Sequence, residues 1–549
     1  MIQIEITRLQ IRGNSLQIRC LSGGFPHNRR VYSPKISVCF EDTRGYIRRI
    51  PMVIREHREE QGQAVLVAEQ TFDLEYLFTI GKIPQSIQLW FVMQYGALEQ
   101  ENIPIVLREE QGTVNVRVQQ PQEGCIVIRC VPDKGQDAAD SAEGCQGTSL
   151  EKTNRKPEPF CSKLNRHLFK AMYRLLSYRG IRDDKVFFLS NRRDDLSGNM
   201  AFVFEKLKDE PVHIRVLLKN CDMTQFHPLY FWKAAWHAAN ARVILLDDSC
   251  TFLDYIDLKP ETRSIQLWHA CGAFKTFGYS RLGKAQGPSQ RDRNHRFYTH
   301  AITSSAQIAP FYAEAFGIPL SHVEATGVPR TDVFFDPAYK KRMQEELLRE
   351  HPEFTGKRII LFAPTFRGWD KENAYYPEEQ FDAVRFMQNM PEDTVLVVKH
   401  HPYIRQRIEI PDAWRERIID LTDSAEINDL LFITDLLITD YSSVIFEASL
   451  LDIPMVFYAF DLDEYIRDRD FYYEFIEFVP GVIVESWNEL VDVIHRQKFE
   501  TEKIAAFKTR FFDHLDGRSS ERVAELVMKD VRGEAGDCLG RCLEKETKE

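Results

Sequence analysis

The sequence predicts an α/β protein in which two doubly wound halves follow a small all-β domain. Two series of continuous apolar strands, separated by helical or loop segments, predict the halves. Strands that are buried on both faces have such unbroken apolar runs, so each series indicates a parallel sheet covered by helices. Short alternating or β-branched segments between Gly, Pro and Asn turns predict the all-β domain.

Bulk composition limits the class of protein. A chain of 549 residues is too long for one hydrophobic core, so several domains are expected. No run reaches the roughly 18 apolar residues that a membrane-spanning helix requires, and the first residues lack the features of a secretory signal. A formal net charge of −11 argues against a general nucleic-acid binder. The 11 cysteines are irregularly spaced, which predicts reduced thiols in a cytoplasmic protein.

Residues 1–131 are predicted to form the all-β domain. Residues 132–160 are predicted to be a flexible linker, because the run from Asp133 to Pro159 has almost no large apolar side chain to offset its ordering entropy. Residues 533–549 are polar and are predicted to be a mobile tail.

A basic amphipathic helix is predicted at the start of the segment 161–338. Its basic residues recur at helical spacing beside apolar ones: Lys163, Arg166, Lys170 and Arg174. Such a helix could lie on an anionic membrane surface, whereas solvated basic faces on packed helices are more common. We keep membrane contact as a hypothesis.

The first half continues to residue 338 with strands in KVFFLS, HIRVLLK, RVILLDD and SIQLWHA. The second half, residues 339–532, has strands in RIILFAPT, TVLVVKHHP, RIIDLT, LLITD and PMVFYA. Its last helix is expected to cross back onto the first half. Clefts between such halves bind ligands at the carboxyl ends of strands, so the residues that follow the strands are candidates for chemistry.

The first strand-end motif is SIQLWHACGAFKTFG, which contains His269 and Lys275. Imidazole titrates near neutral pH, so His269 suits a general base or a donor to phosphate. A single histidine after a core strand is more often buried and structural. The motifs that follow favour the functional interpretation here.

The second motif, VLVVKHHPYI, has Lys399 and His401 at a strand end. A lysine beside imidazoles forms a positive concavity that suits a pyrophosphate, whereas a metal site would require further ligands at fitting spacing. We therefore predict no metal ligand in this motif.

The third motif, LLITDYSSVIFEASLLDIPMVFY, has Asp440, Ser442 and Ser443 between a strand and a helix. Serines at a helix start are ordinary caps, and the same hydroxyls and amides also bind phosphate oxygens. Glu447 lies one turn inside this helix and suits the hydroxyls of a ribose.

A fourth pair of motifs contributes Arg330 in ATGVPRTDVFFD and Thr365 with Arg367 in LFAPTFRG. Arginine suits bidentate recognition of phosphate. These regions contain no Walker loop, GxGxxG after a strand, HExxH or GxSxG, which argues against triphosphatases, dehydrogenases, metalloproteases and esterases. Group transfer from an activated diphosphate is the class of reaction that stays open.

Seven motifs, taken in order, resemble those of the CDP-glycerol glycerophosphotransferase family of teichoic-acid primases and polymerases. They are WHACGAFKTFG, TGVPRTD, APTFRG, KHHP, NDLLFITDLLITDYSS, PMVFYAFDLDEY and DGRSSERV. The resemblance covers about residues 185–530. It implies a GT-B-like pair of Rossmann-like domains facing a cleft, with the acceptor on the first and the CDP-activated donor on the second.

By this resemblance, His269 matches the histidine of the family's WHG motif and His401 that of its HP motif. Ser442 and Ser443 match its nucleotide-side serines, and the residues in further matching motifs are Arg330, Thr365, Arg367 and Asp440. The sequence departs from the family at 270–272, where Ala, Cys and Gly replace the common Gly-Thr-Pro.

The resemblance implies transfer of glycerol phosphate or ribitol phosphate from CDP-glycerol or CDP-ribitol to a lipid-linked polymer, with release of CMP and His269 as base. A lipid-linked acceptor implies a peripheral protein on the anionic inner face of the cell membrane. Two alternatives stay open: a nucleotide-sugar glycosyltransferase of the same fold, and a non-catalytic polymer-binding protein. No cofactor beyond the donor is predicted, and the need for a divalent ion stays open.

Overall fold

The computed structural model describes residues 3–12, 15–26, 35–41, 47–60, 63–73, 86–95, 98–100, 103–107, 116–122, 125–130, 160–221, 227–284, 287–289, 292–368 and 372–534. The predicted linker, apart from its last residue, and residues 535–549 of the predicted tail lie outside these ranges.

The N-terminal region is a β-sandwich. Its described strands are β1 (Gln3–Arg12), β2 (Ser15–Pro26), β3 (Lys35–Glu41), β4 (Ile47–Pro51), β5 (Ile54–Glu60), β6 (Gln63–Asp73), β7 (Ser86–Tyr95), β8 (Leu98–Gln100), β9 (Ile105–Leu107), β10 (Val116–Gln122) and β11 (Cys125–Cys130). One sheet has the order β5-β6-β2-β1-β9, and the other has the order β10-β11-β7-β3-β4 with β8 on β7. Alternate side chains of both sheets, such as Ile4, Leu16, Phe40 and Phe91, form one buried cluster.

The first parallel sheet has the described strands β12 (Arg182–Ser190), β13 (His213–Leu218), β14 (Ala241–Leu246), β15 (Arg263–Gln266), β16 (His300–Ile302) and β17 (Val323–Glu324) in the order β13-β12-β14-β15-β16-β17. Its helices are α1 (Phe160–Leu176), α2 (Gly198–Leu207), α3 (Pro228–Ala239) and α4 (Ala309–Phe316). Phe187 packs in one cluster with residues of α1 and α3, and Phe188 packs in another with residues of α2. Both faces are covered, and we call this unit the first lobe.

The second lobe repeats the plan. Its described strands are β18 (Arg358–Phe362), β19 (Thr394–Val398), β20 (Ile418–Asp420), β21 (Leu436–Thr439), β22 (Met455–Tyr458) and β23 (Val482–Val484), in the parallel order β20-β19-β18-β21-β22-β23. The helices are α5 (Pro337–Glu350), α6 (Ala383–Gln388), α7 (Ile427–Leu430), α8 (Val444–Leu450), α9 (Leu462–Arg469), α10 (Phe475–Phe478), α11 (Trp487–Arg496) and α12 (Glu502–Phe511). The predicted fold class, two parallel-sheet halves after an all-β region, is confirmed.

The last described helix, α13 (Ser519–Val531), returns to the first lobe. Val523 and Val527 pack in the same cluster as Phe188, and Asp530 pairs with Arg263 at 3.3 Å. The chain therefore crosses from the second lobe back to the first, so the two lobes are joined at two places.

The sandwich contacts both lobes through charged side chains that are buried or partly buried. Arg49 Nε lies 2.9 Å from Glu314 Oε2 in α4, and both side chains are less than a tenth exposed. Lys35 Nζ lies 3.2 Å from Asp470 Oδ1 in the second lobe and also donates to the carbonyl of Phe471. The all-β region is therefore packed against the cleft-forming lobes.

The predicted basic helix corresponds to α1. Phe169, Tyr173 and Leu176 are buried against the first lobe, while Leu164 and Leu175 are 49% and 65% exposed. No helix in the described part of the chain combines the length and apolar character needed to cross a bilayer.

Candidate active site

A cavity of about 860 Å³ lies between the two lobes at the carboxyl ends of their strands, within the size range of small-ligand sites. The predicted residues that line it are His269, Lys275, Arg330, Thr365, Lys399, His401, Ser442, Ser443 and Glu447. The two histidines thus come from different lobes to one cavity. Arg367 and Asp440 are not among its lining residues.

A strained turn precedes His269. Trp268 has φ of +52°, a left-handed conformation that residues other than glycine rarely adopt and that often occurs at functional sites. The Trp268 ring stacks on Phe277 with 5.0 Å between ring centroids. Asn199 Nδ2 donates to the carbonyls of Leu267 at 3.2 Å and Trp268 at 2.6 Å. These contacts hold the turn from which His269 enters the cavity.

The surroundings of His269 favour its neutral form. Its side chain is exposed to the cavity, and desolvation by the surrounding protein lowers its pKa despite the opposing charge of Asp248. A neutral imidazole at physiological pH can accept a proton. His269 therefore has the protonation state that a general base requires.

Gly272 of the first lobe lies directly against Phe446 of the second. Its φ is +64°, and a Cβ atom there would overlap the ring of Phe446 in α8. Of the three positions that depart from the family pattern, position 272 can therefore be occupied only by glycine. Cys271 is buried beside it.

His401 is also neutral and has a defined tautomer. The backbone N–H of Tyr403 donates to His401 Nδ1 at 3.1 Å, which leaves Nε2 as the protonated nitrogen. Desolvation and the nearby charge of Lys275 lower the pKa of His401 to about 4. The ring can therefore donate a hydrogen bond from Nε2 at neutral pH.

The two predicted lysines differ in their contacts. Burial lowers the pKa of Lys275 to about 8, partly opposed by Asp440, so its ammonium remains largely charged at pH 7. Lys399 Nζ instead donates to three carbonyls, those of Leu421 at 3.2 Å, Thr422 at 2.7 Å and Ala425. Lys399 thus holds the loop after β20, and Lys275 is the better placed of the two for an anionic ligand.

Arg330 and Glu447 join the lobes. Arg330 Nη2 donates to Glu447 Oε1, and the Glu447 side chain is 2% exposed. The backbone N–H of Arg330 donates to Asn199 Oδ1 at 2.9 Å. Glu447 Oε2 is buried and makes no hydrogen bond within the described structure, so it is an acceptor at the cavity wall.

Arg367 and Asp440 form a buried network behind the cavity wall. Arg367 Nη1 lies 2.9 Å from Asp440 Oδ2, and Nε lies 2.6 Å from Asp461 Oδ2. Asp440 Oδ1 accepts the backbone N–H of Thr365 at 2.7 Å. The two residues therefore act on the cavity through Thr365.

Several lining residues were missed by sequence reasoning. Arg281 and Arg469 line the cavity, three residues beyond the first motif and four beyond PMVFYAFDLDEY. Extending the first motif to the next basic residue would have found Arg281, and extending PMVFYAFDLDEY by four residues would have included Arg469. Asn199 had no sequence signal, because its role depends on contacts with residues about seventy and a hundred and thirty positions away. Among the described residues, no group of three or more His, Cys, Asp or Glu is arranged to hold a metal ion.

Two Rossmann-like lobes around one cleft, with a C-terminal helix returning to the first, define a protein of the GT-B class. Residues 171–529 match the family described as CDP-Glycerol:Poly(glycerophosphate) glycerophosphotransferase, and the chain belongs to this family. The family predicted from the ordered motifs is thereby confirmed.

Named relatives are similar over about two thirds of this chain. The teichoic acid poly(ribitol-phosphate) polymerase of Bacillus spizizenii is 40% identical over 378 residues, which are 68% of this chain and 61% of that protein. The ribitol-phosphate polymerase TarK of Staphylococcus aureus is 42% identical over 368 residues, which are 66% of this chain and 72% of that protein. The chain therefore spans about three fifths of the length of the Bacillus relative.

A solved structure has the same fold. The wall teichoic acid polymerase TagF superimposes with a TM-score of 0.55 and 20% identity, over 68% of this chain and 98% of that chain. The similarity supports the two-lobed architecture.

Proposed function

We propose that this chain transfers a polyol phosphate from a CDP-activated donor to a lipid-linked teichoic-acid-type polymer and releases CMP. One observation carries the proposal: His269 of the first lobe and His401 of the second line the same cavity, together with the charged Lys275. Membership of the glycerophosphotransferase family supports the same reaction class.

In the proposed reaction, the terminal hydroxyl of the acceptor attacks the donor phosphorus that carries the polyol. A new P–O bond forms to the acceptor oxygen, and the P–O bond to the cytidylyl phosphate breaks. The hydroxyl proton passes to His269, whose pKa is lowered by desolvation so that the ring is neutral beforehand. CMP leaves with the electron pair of the broken bond.

His401 and Lys275 stabilise the charge that develops. Preorganised donors at the transferring phosphoryl group and the leaving group supply most of the catalysis in such reactions. His401 offers its Nε2 proton, and Lys275 offers an ammonium close enough to affect the pKa of His401. We place the diphosphate between these two side chains.

The nucleotide occupies the second lobe in this proposal. Ser442 and Ser443 bind phosphate oxygens, and the free Oε2 of Glu447 accepts a ribose hydroxyl. Lys399 shapes the loop after β20, and Arg367 with Asp440 position Thr365. We assign Lys399, Arg367 and Asp440 supporting roles in nucleotide binding.

CDP-ribitol is the donor that we favour. The two relatives at 40% and 42% identity are both named as polymerases of ribitol phosphate. CDP-glycerol is the second candidate, because the family description specifies glycerophosphate.

The experiment is CMP release by the purified chain with CDP-ribitol, CDP-glycerol or UDP-sugars and a lipid-linked acceptor. The expected result is acceptor-dependent CMP release, fastest with CDP-ribitol. Release of UDP without CMP would assign a glycosyltransferase instead, and binding of polymer without turnover of any donor would assign a binding protein.

A peripheral position on the anionic inner face of the membrane also belongs to the proposal. Leu164 and Leu175 of α1 are exposed beside the exposed basic residues Lys163 and Arg174. Replacing both basic residues by Glu should abolish sedimentation with anionic vesicles and leave release of CMP to a water-soluble acceptor unchanged. Sedimentation equal to that of the parent would show that α1 does not contribute to membrane contact.

A further inference from the structure

A second cavity, with a volume of about 360 Å³, lies beside the central one. Gly278 and Arg281 line both, so the two cavities meet at the single helical turn Gly278–Arg281. The described residues that line the second cavity all belong to the first lobe, between Arg192 and His295. It therefore belongs to the other lobe from the serines to which we assign the donor nucleotide.

The second cavity is basic. Arginines at three separate points of the chain line it: Arg192, Arg281 and Arg293. The Arg293 guanidinium also donates from Nη2 to Asp257 Oδ1 and to the carbonyl of Ile256, so a phosphate would share it with these acceptors. One of its carboxylates, Asp292, already accepts hydrogen bonds from the N–H of Ser289 at 3.0 Å and its hydroxyl at 3.2 Å. Guanidinium groups in a concave site are suited to phosphate oxygens.

The other carboxyl group, Asp254, is 7% exposed, and its Oδ1 makes no hydrogen bond within the described structure. Burial raises the pKa of Asp254 to about 8, against the charges of Arg293 and Arg192. At neutral pH the group is therefore mostly a neutral acid that can donate a hydrogen bond. A buried polar atom without a partner at a cavity wall indicates a ligand that supplies one.

We propose that the second cavity binds a phosphodiester of the acceptor polymer, one repeat behind the hydroxyl that reacts in the central cavity. This inference rests on the proposed function, because it assigns the acceptor of that reaction. Arg281 lines both cavities, so it lies between the polymer unit that reacts and the unit behind it. The site makes an acceptor that already carries polyol phosphates a better substrate than one that carries a single unit.

The test compares a lipid analogue carrying one polyol phosphate with one carrying several, in the full chain and in Arg192→Gln and Arg293→Gln. Each substitution should raise KM for the longer acceptor about tenfold, since a charge-assisted contact to phosphate is lost. KM for the short acceptor and for the CDP-polyol should stay unchanged. Arg215→Gln, an exposed residue of β13 outside both cavities, is the matched control.

The outcomes separate this inference from the proposed function. If the parent releases CMP and the variants keep its KM for the longer acceptor, the second cavity is not an acceptor site, and the transfer reaction stands. If the parent releases no CMP from either CDP-polyol, the proposed reaction and this inference both fail. An equal rise in KM for both acceptors would also overturn the assignment.

Asp254 gives a second readout that needs no turnover. Binding of a short polyol-phosphate oligomer should weaken as pH rises through about 8, when Asp254 gains a charge and Lys275 of the central cavity, whose pKa is also about 8, loses one. Asp254→Asn should make this decline smaller and leave only the part that comes from Lys275. The titratable and charged groups around Asp254 are Arg192, Cys250, Tyr279, Asp292, Arg293, His295 and Tyr298. Burial raises the pKa of both tyrosines and of Cys250 and lowers that of His295 to about 3, so these groups do not account for a change near pH 8. An equal decline in both proteins would overturn the role of Asp254.

Discussion

Arg330 of the first lobe and Glu447 of the second form an ion pair across the cleft, next to the serines that precede α8. The carboxylate is almost fully buried, and the Arg330 guanidinium compensates its charge. Because each residue belongs to a different lobe, the pair connects the relative position of the lobes to the geometry of the cavity.

The first prediction concerns this pair. Arg330→Met should lower the free energy of unfolding by about 3 kcal/mol or more, because it leaves Glu447 charged and buried without a partner. Chemical denaturation monitored by fluorescence measures the change. Arg330→Met combined with Glu447→Met should recover most of the stability but not the activity. A double variant as unstable as the single one would show that the pair is not the source of the effect.

The second prediction is that His269→Ala lowers kcat by about a hundredfold or more while KM for the CDP-polyol stays close to that of the parent. Loss of a general base has this size, and the proposed role concerns the acceptor hydroxyl rather than donor binding. His269→Gln, which keeps a polar side chain but cannot take up the proton, should be equally slow. Near-normal turnover in either variant would exclude the base.

The third prediction concerns pH. Both histidines have pKa values below the usual value of about 6.5, that of His401 near 4. A base with a lowered pKa remains unprotonated as pH falls, so kcat/KM should not decline between pH 7 and pH 6. A pH profile in buffers of constant ionic strength measures this. A decline with a midpoint near 6.5 would show that the rate-determining histidine has an ordinary pKa.

Sequence patterns predicted the cleft for a simple physical reason. Parallel strands have their carboxyl ends at one edge of a sheet, so residues after apolar strands, such as His269 and His401, converge without knowledge of any contact. The continuous apolar strands also made the two sheets recognisable. These features are local in the sequence and therefore readable from it.

Pairings between distant residues could not be read in this way. Arg367 appears in a strand-end motif like the other candidates, but its guanidinium is engaged by Asp440 and by Asp461, 94 positions away. Lys399 likewise donates to carbonyls of a loop more than twenty positions further on. Whether a basic side chain is available to a ligand depends on such partners, which only the folded chain defines.

The fourth prediction compares two glycines with left-handed backbone. Gly272→Ala should abolish activity and lower stability, because the new methyl group overlaps the Phe446 ring where the lobes meet. Gly356→Ala is the matched control, since its φ of +71° is similar but no atom lies within 4 Å of the added carbon. The control bears only the backbone cost, about 1 kcal/mol. Equal effects of the two changes in denaturation and CMP release would contradict the contact as the cause.

The last prediction links the sandwich to the cavity. Lys35 and Lys284 each lie 3.2 Å from a different oxygen of Asp470, the residue after the cavity-lining Arg469, and 28% and 52% of their side chains are exposed. Although burial opposes its charge, the two lysines lower the pKa of Asp470. The carboxylate is therefore charged at neutral pH, and its contribution to stability is lost as pH falls below the usual range of a carboxyl group. Lys35→Met should reduce both stability and kcat at pH 7, because it removes the more buried ammonium together with its bond to the Phe471 carbonyl. Lys284→Met removes the more exposed lysine partner of the same carboxylate. The free energy of unfolding is expected to change by less than about 1 kcal/mol. Equal losses of stability and of kcat in the two variants would show that the sandwich has no particular influence on the cavity wall.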